Sequence, residues 1–223
     1  MKLVLLHSPL VGSGTWTRVA ELLRARGHDV GIPDLAPMLE GGPPYYSRLA
    51  LIAALGADDA IVVVHSGAGA LVPEIATLTK ICGAIFVDAL LPHPGKCWFE
   101  TVPEQLNTRL RKLARGGVLP RWHLWWPKGA IETLLPDARM YDAFVSGLRE
   151  MPLAYFEEFA PDTKLQTPSA YLQLSEACKA DADRAQAEGW PVARLKLHHL
   201  AMLTHAGSVA EQIERLAALL TRP

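Results

Sequence analysis

The chain has 223 residues, with 22 basic and 23 acidic side chains and a formal charge of −1. The two signs are mixed along the chain, which leaves no electrostatic footprint for nucleic acid or an anionic membrane and makes a small molecule the expected partner. One well-buried core fits the length, so a single domain over 1–223 is expected, with a homodimer left open as the assembly. Only four apolar residues stand between Lys2 and His7, too few for a signal-peptide core, and no later segment offers a membrane span; a cytoplasmic location is expected. Cys82, Cys97 and Cys178 are odd in number, widely spaced and without CxxC spacing, so they are read as reduced thiols rather than zinc ligands or a disulfide framework.

In chain order, six short apolar runs read as strands: 3–6, 29–32, 61–64, 84–87, 170–174 and 193–197. Each is nearly continuously apolar, as strands covered on both faces should be. Helical periods fall between them at 16–26, stopped by Gly27, at 45–55, stopped by Gly56, at 68–78, and at 209–220. This alternation predicts an α/β fold with a mostly parallel six-stranded sheet and helices on both faces. Between 91 and 167 the rhythm breaks, and prolines, helical patches and the tryptophans Trp98, Trp122, Trp125 and Trp126 appear. That stretch is read as an inserted, mainly helical cap. Trp122, Trp125 and Trp126 are its candidates for the wall of an apolar substrate pocket, since aromatic rings supply large rigid surface.

The stretch Ile61-Val-Val-Val-His-Ser-Gly-Ala-Gly-Ala70 carries the chemistry. A β-branched run ends in a serine between small residues, the composition of a strand entering a tight turn before a helix. Ser66 at that apex is a candidate nucleophile, and the Gly67 N–H a candidate oxyanion donor. A serine nucleophile needs a base and an acid. The last strand runs directly into His198-His199-Leu-Ala-Met-Leu-Thr-His205, which holds three of the eight histidines that could serve as the base. Asp88 ends the apolar run 84–87, where a carboxylate needs a partner because burying it alone is costly. No cofactor or metal is required by this set.

Taken together, Leu-Val-Leu-Leu-His7-Ser-Pro followed by Trp16, Ile32-Pro-Asp34-Leu, Val64-His-Ser66-Gly-Ala-Gly69 and His199-Leu-Ala-Met-Leu-Thr204 resemble the α/β-hydrolase superfamily, in the right order and over nearly the whole chain apart from the cap. The likeness is nearest to small esterase-like and hydroxynitrile-lyase-like members. It implies an α/β-hydrolase fold, Ser66 as nucleophile and His199 as base. Two places then compete for the acid: Asp88, and Glu176 in the loop after the penultimate strand, one residue short of the family's usual position near Ala177. Asp88 is preferred and Glu176 held in reserve. His7 and His65 lie on the site's own loops, whereas His28, His93, His123 and His205 are expected at turns or on the surface.

The resemblance also locates a departure. The residue matching the family's second oxyanion donor is Pro9, which has no N–H. Leu10 N–H or the Ser8 hydroxyl is expected to substitute. Hydroxynitrile lyases carry a hydroxyl residue at the place of Ser8, but also a lysine where this chain has Leu200. The reading is therefore a Ser66–His199–Asp88 hydrolase of an ester, thioester or lactone, with lyase-like or cyclase-like acid/base chemistry, or a binding protein whose chemistry has lapsed, as alternatives. A dinucleotide-binding reading of Gly12-Ser-Gly14 with Asp34 is weak, because Thr17 replaces the third glycine and the residues from His7 to Val11 separate the strand from Gly12.

Overall fold

The computed structural model describes residues 1–221. Its strands are β1 (Lys2–Leu6), β2 (Asp29–Gly31), β3 (Ala60–His65), β4 (Ile81–Val87), β5 (Val118–Leu119), β6 (Met151–Pro152), β7 (Ser169–Gln173) and β8 (Val192–Arg194). Six of them form one sheet in the order β2-β1-β3-β4-β7-β8, with every pairing parallel. Each of the six predicted apolar runs falls on one of these strands, though positions 32, 174 and 195–197 lie outside them.

Successive side chains of a strand point to opposite faces, and here both faces are covered. Leu3, Leu5, Ile61, Val63, Ile85, Val87 and Leu172 pack with Val19 and Leu23 of α1 (Thr17–Ala25) and Val209 and Ile213 of the last helix. Val4, Leu6, Val62, Val64, Phe86 and Tyr171 point the other way, toward Leu49 of α2 (Tyr45–Ala54) and Ile75 of α3 (Val72–Leu78). Burying one such aliphatic side chain contributes about 1.5–3 kcal/mol, so the alternation within each run holds two layers to one sheet.

The helix predicted over 68–78 divides. Ser66–Leu71 is a tight 3₁₀ turn, and α3 begins only where Pro73 falls in the first turn, a position where its missing N–H costs nothing. The predicted strand 193–197 is shorter than expected because it lies at the sheet edge and pairs on one side only. Beyond Arg194 the chain still donates from Leu195 N–H to the Gln173 carbonyl (2.8 Å) and from Leu197 N–H to that of Leu174 (2.9 Å).

Between β4 and β7 the chain forms α4 (Glu104–Leu113), α5 (Ala130–Leu134), α6 (Ala138–Ser146) and α7 (Leu153–Glu157). It also forms the antiparallel β5–β6 ribbon, whose two-residue strands are too short to show a period in sequence. After β7 come α8 (Lys179–Ala187), then β8, α9 (Ala201–Thr204) and α10 (Ala206–Leu220). Among the described residues no helix is long and apolar enough to cross a membrane.

Sheet order decides where a site can form. The chain leaves β1 for β2 on one side and returns to β3 on the other, so the carboxyl ends of β1 and β3 flank a crevice at the switch in direction. His7 and Ser8 follow β1; Ser66 follows β3.

Candidate active site

Ser66 has φ of 54°, a left-handed backbone that a non-glycine residue adopts at a cost of about 1–3 kcal/mol unless its surroundings impose it. The imposing contacts come from the loop after β4. Leu90 N–H donates to the Ser66 carbonyl at 3.1 Å. Gly69, one turn on, lies so near that loop that a Cβ there would stand 2.0 Å from the Leu90 carbonyl oxygen. The elbow is thus clamped onto the segment that carries Asp88.

Asp88 is 1% exposed and itself has φ of 45°. Its Oδ1 accepts the N–H groups of Leu174 (2.7 Å) and Ser175 (2.9 Å). Its Oδ2 accepts the Ser175 hydroxyl and His199 Nδ1–H, the latter at 2.9 Å. Burial pushes the carboxyl pKa up, but the His199 hydrogen bond and charge together with the Ser175 bonds outweigh it, and Asp88 is held below the ordinary carboxylate value. The bond to Asp88 fixes the His199 proton on Nδ1 and leaves Nε2 as the lone pair of the neutral ring. Among the described residues Ser66 Oγ has no hydrogen-bond partner; it and His199 line the same cavity.

Two further histidines set these loops. His65 is wholly buried, donates from Nε2 to the His199 carbonyl at 3.0 Å, and lies with its ring 4.6 Å from the His199 ring. Burial, then the nearby His199, lowers its pKa to about 3, so it is a neutral donor at ordinary pH. His7 accepts Leu35 N–H at Nε2 (3.0 Å), which puts its proton on Nδ1 for the Ser8 carbonyl (2.8 Å). It therefore ties the loop after β1 to the turn after β2.

At the candidate oxyanion donor, Gly67 borders the cavity, and Ser8 and Pro9 stand beside it: a Cβ on Gly67 would be 3.5 Å from Ser8 Oγ and 3.7 Å from Pro9 Cδ. Leu10 N–H is not free, because it donates to Ser8 Oγ at 3.3 Å. This leaves the Ser8 hydroxyl proton available, although Ser8 is 1% exposed and Leu10, not Ser8, lines the cavity.

The cavity has a volume of about 380 Å³, within the range of small-molecule sites. Trp122, Trp125 and Trp126 all line it, joined by Trp98, Leu106 and Ile131. Its wall carries no lysine or arginine, and its charged or titratable members are Asp88, Cys178 and His199. Trp122 stands 6.3 Å, ring to ring, from His199, so the aromatic wall begins at that imidazole. Asp88, Cys178 and His199 offer metal-ligand atoms within 4.8 Å of one another. The carboxylate's four donors already occupy its lone pairs, so the trio fits a hydrogen-bonded acid–base pair better than a cation cage.

No family model and no curated protein sequence matches the chain. Among solved structures it is similar to an extracellular α/β-hydrolase from a Paenibacillus species, with a TM-score of 0.78 and 19% identity over 97% of this chain and 98% of that one. The chain has the α/β-hydrolase fold. A pyrethroid hydrolase from Sphingobium faniae JZ-2 (TM-score 0.69, 21% identity, 98% and 97% covered) is also similar. So is tomato methylketone synthase I (TM-score 0.71, 17% identity, 99% and 98% covered).

Within the α/β-hydrolase fold, the acid-bearing loops separate cleanly. Glu176 sits in a 3₁₀ turn (Glu176–Cys178), is exposed, and makes no bond to His199, whose carboxylate partner is Asp88. The loop after β7 serves instead through the Leu174 and Ser175 amides and the Ser175 hydroxyl. Ser175 and Cys178 were not legible as site residues, because nothing in a Leu-Ser-Glu-Ala-Cys run signals that its amides face a carboxylate from another strand. One expectation needs correction. His93 is buried and bonded through Nε2 to the Tyr46 hydroxyl at 3.1 Å, not at the surface. At the Gly12–Gly14 turn, whose dinucleotide reading was already weak, Gly12 packs against Gly147 of the inserted segment, where a Cβ would meet the carbonyl oxygen at 3.1 Å.

Proposed function

We propose that the protein is a serine hydrolase acting on an ester, thioester or lactone of a small, uncharged, partly apolar molecule. The observation that carries this reading is the Asp88–His199 pair opening onto the same tryptophan-lined cavity as a serine on a left-handed turn. Ser66 Oγ attacks the acyl carbon as His199 Nε2 takes its proton. Asp88 holds the imidazole in the tautomer that can do so and stabilises the imidazolium that follows. His199 then protonates the leaving group, and a water, activated by the same nitrogen, returns Ser66 to its hydroxyl. The apolar wall and its lack of lysine or arginine favour a neutral substrate, because a carboxylate there would lose its hydration without a partner.

Fluorophosphonate labelling followed by intact-mass measurement tests the proposal. Wild type should gain one adduct, Ser66→Ala none. Wild type that stays unlabelled, or a Ser66→Ala protein that labels equally, would overturn it. Pro9 favours a second reading, in which the same residues perform lyase-like or cyclase-like proton transfer without an acyl-enzyme, since such chemistry does not depend on a tetrahedral oxyanion. Activity lost in His199→Ala with no acyl-enzyme trapped on quenching would select it.

A further inference from the structure

Proline at position 9 has no N–H to offer the site, and a hydroxyl from another part of the chain stands beside the same turn. A Cβ on Gly67 would lie 3.8 Å from the Tyr155 hydroxyl, on the side where Ser8 Oγ and Pro9 Cδ also converge. Tyr155 belongs to α7 of the inserted segment, so three separate stretches of chain meet at the residue whose N–H follows the nucleophile.

The state of that hydroxyl is unusual. Tyr155 is 2% exposed, and buried tyrosine hydroxyls ordinarily find a partner. Tyr171 follows the rule, donating to the Ala89 carbonyl at 2.8 Å, and the Tyr46 hydroxyl lies 3.1 Å from His93 Nε2. The Tyr155 hydroxyl makes no hydrogen bond among the described residues, and it is not one of the fully enclosed unpartnered polar atoms, so its oxygen keeps some open surface although the ring is buried. Packing fixes where it points: the ring stacks on Tyr46 (6.1 Å between centroids, 16° between planes) and meets Tyr45 at 5.9 Å and Phe156 at 5.0 Å edge-on. A donor held in place before reaction costs no reorganisation when charge develops. Burial, and then Tyr46 and Glu158 nearby, raise the phenol pKa well above its ordinary value, so it stays protonated throughout the working range.

We propose that the Tyr155 hydroxyl is the second oxyanion donor of this site, supplying the hydrogen bond that Pro9, lacking an N–H, cannot. The proposal rests on the serine-hydrolase reading. In the acylation step the Ser66 Oγ–C bond forms as the carbonyl π pair moves onto oxygen and the Ser66 proton passes to His199 Nε2. The resulting oxyanion accepts hydrogen bonds from Gly67 N–H and Tyr155 O–H, and Tyr155 keeps its proton. When the pair returns to re-form the carbonyl, the leaving group departs with the proton from His199. Tyr155 is thereby the inserted segment's contribution to chemistry, beside the tryptophans the same segment gives to the pocket wall.

Tyr155→Phe removes one oxygen and orphans no partner, so the fold should be retained. With 4-nitrophenyl butyrate as an uncharged substrate, kcat should fall on the order of 10²-fold, the usual effect of losing one oxyanion donor, while KM and Tm stay near wild type. Affinity for an alkyl trifluoromethyl ketone, whose adduct bears the oxyanion, should fall in parallel. Adding Pro9→Ala to Tyr155→Phe restores a backbone N–H and should recover part of the lost kcat, about tenfold or more on the same scale. A variant that keeps wild-type kcat, one that loses kcat only in step with Tm, or a double variant without recovery would each overturn the proposal. Failure of the underlying reading looks different: wild type itself would not label at Ser66 with fluorophosphonate.

Discussion

Replacing Asp88 by Asn separates the charge of the acid from its place in the fold. Oδ1 accepts two backbone N–H groups, from Leu174 and Ser175, while Oδ2 accepts the Ser175 hydroxyl and His199 Nδ1–H. The asparagine carbonyl should keep the Oδ1 position, because turning the NH₂ toward two amide donors would leave both unsatisfied at about 1–3 kcal/mol each. The NH₂ then faces His199 Nδ1, which can meet it only as an acceptor. The imidazole proton moves to Nε2, the atom that must take the proton from Ser66. Loss of the correct tautomer in a triad costs about 10⁴ in kcat. At 1.36 kcal/mol per decade, a fall of about 10³–10⁴ corresponds to about 4–5.5 kcal/mol in the barrier. Steady-state hydrolysis of 4-nitrophenyl butyrate, with Tm followed by fluorimetry, measures both effects. KM and Tm should change little beside kcat. Asp88→Asn retaining activity within about tenfold of wild type would refute the assignment of Asp88 as the acid and the tautomer argument with it.

Glu176→Gln provides the contrast: the side chain is exposed and unbonded to His199, so kcat/KM should stay within about twofold. His65, lowered from 6.5 to about 3, resists protonation in the folded state while the unfolded chain takes up a proton below 6.5. Its contribution is therefore intact above pH 6.5 and is lost as pH falls toward 3, at up to about 1.4 kcal/mol per pH unit. Chemical denaturation at pH 7, 6, 5 and 4 should show that slope in wild type and a shallower one in His65→Gln; parallel slopes would count against the buried neutral histidine. Gly69→Ala places a methyl 2.0 Å from the Leu90 carbonyl oxygen, forcing apart the elbow and the Asp88 loop; a loss of about 3 kcal/mol in urea denaturation is expected, together with reduced kcat. Trp122→Ala opens the wall beside His199 and should cost about 3–5 kcal/mol of stability while shifting preference toward longer acyl chains, read as kcat/KM across a 4-nitrophenyl ester series.

The alternation of short apolar runs with helical periods was enough to determine the layers of this protein. A strand buried on both faces must be apolar throughout, and that signal lies within each run of residues. The elbow was equally local: only a tight turn explains Val-Val-Val-His-Ser-Gly-Ala-Gly, and Ser66 at φ 54° occupies it. Element ends and the β5–β6 ribbon were not legible, since a one-sided edge strand and two-residue strands have too few contacts to leave a pattern. Pro9 could be flagged from its missing N–H alone, but not what surrounds it.

What only the tertiary structure decided is which distant groups face one another. Asp88 and Glu176 were both available as partners for His199, and their separation along the chain said nothing about reach. The adjacency of β4 and β7 brings the Leu174 and Ser175 amides onto Asp88 and leaves Glu176 exposed in its turn. Likewise Tyr155 reaches Gly67 only because the insertion folds back over the carboxyl ends of β1 and β3. Secondary structure follows from neighbours a few residues apart, whereas a site built from five loops depends on strand order, and strand order is a property of the packed sheet.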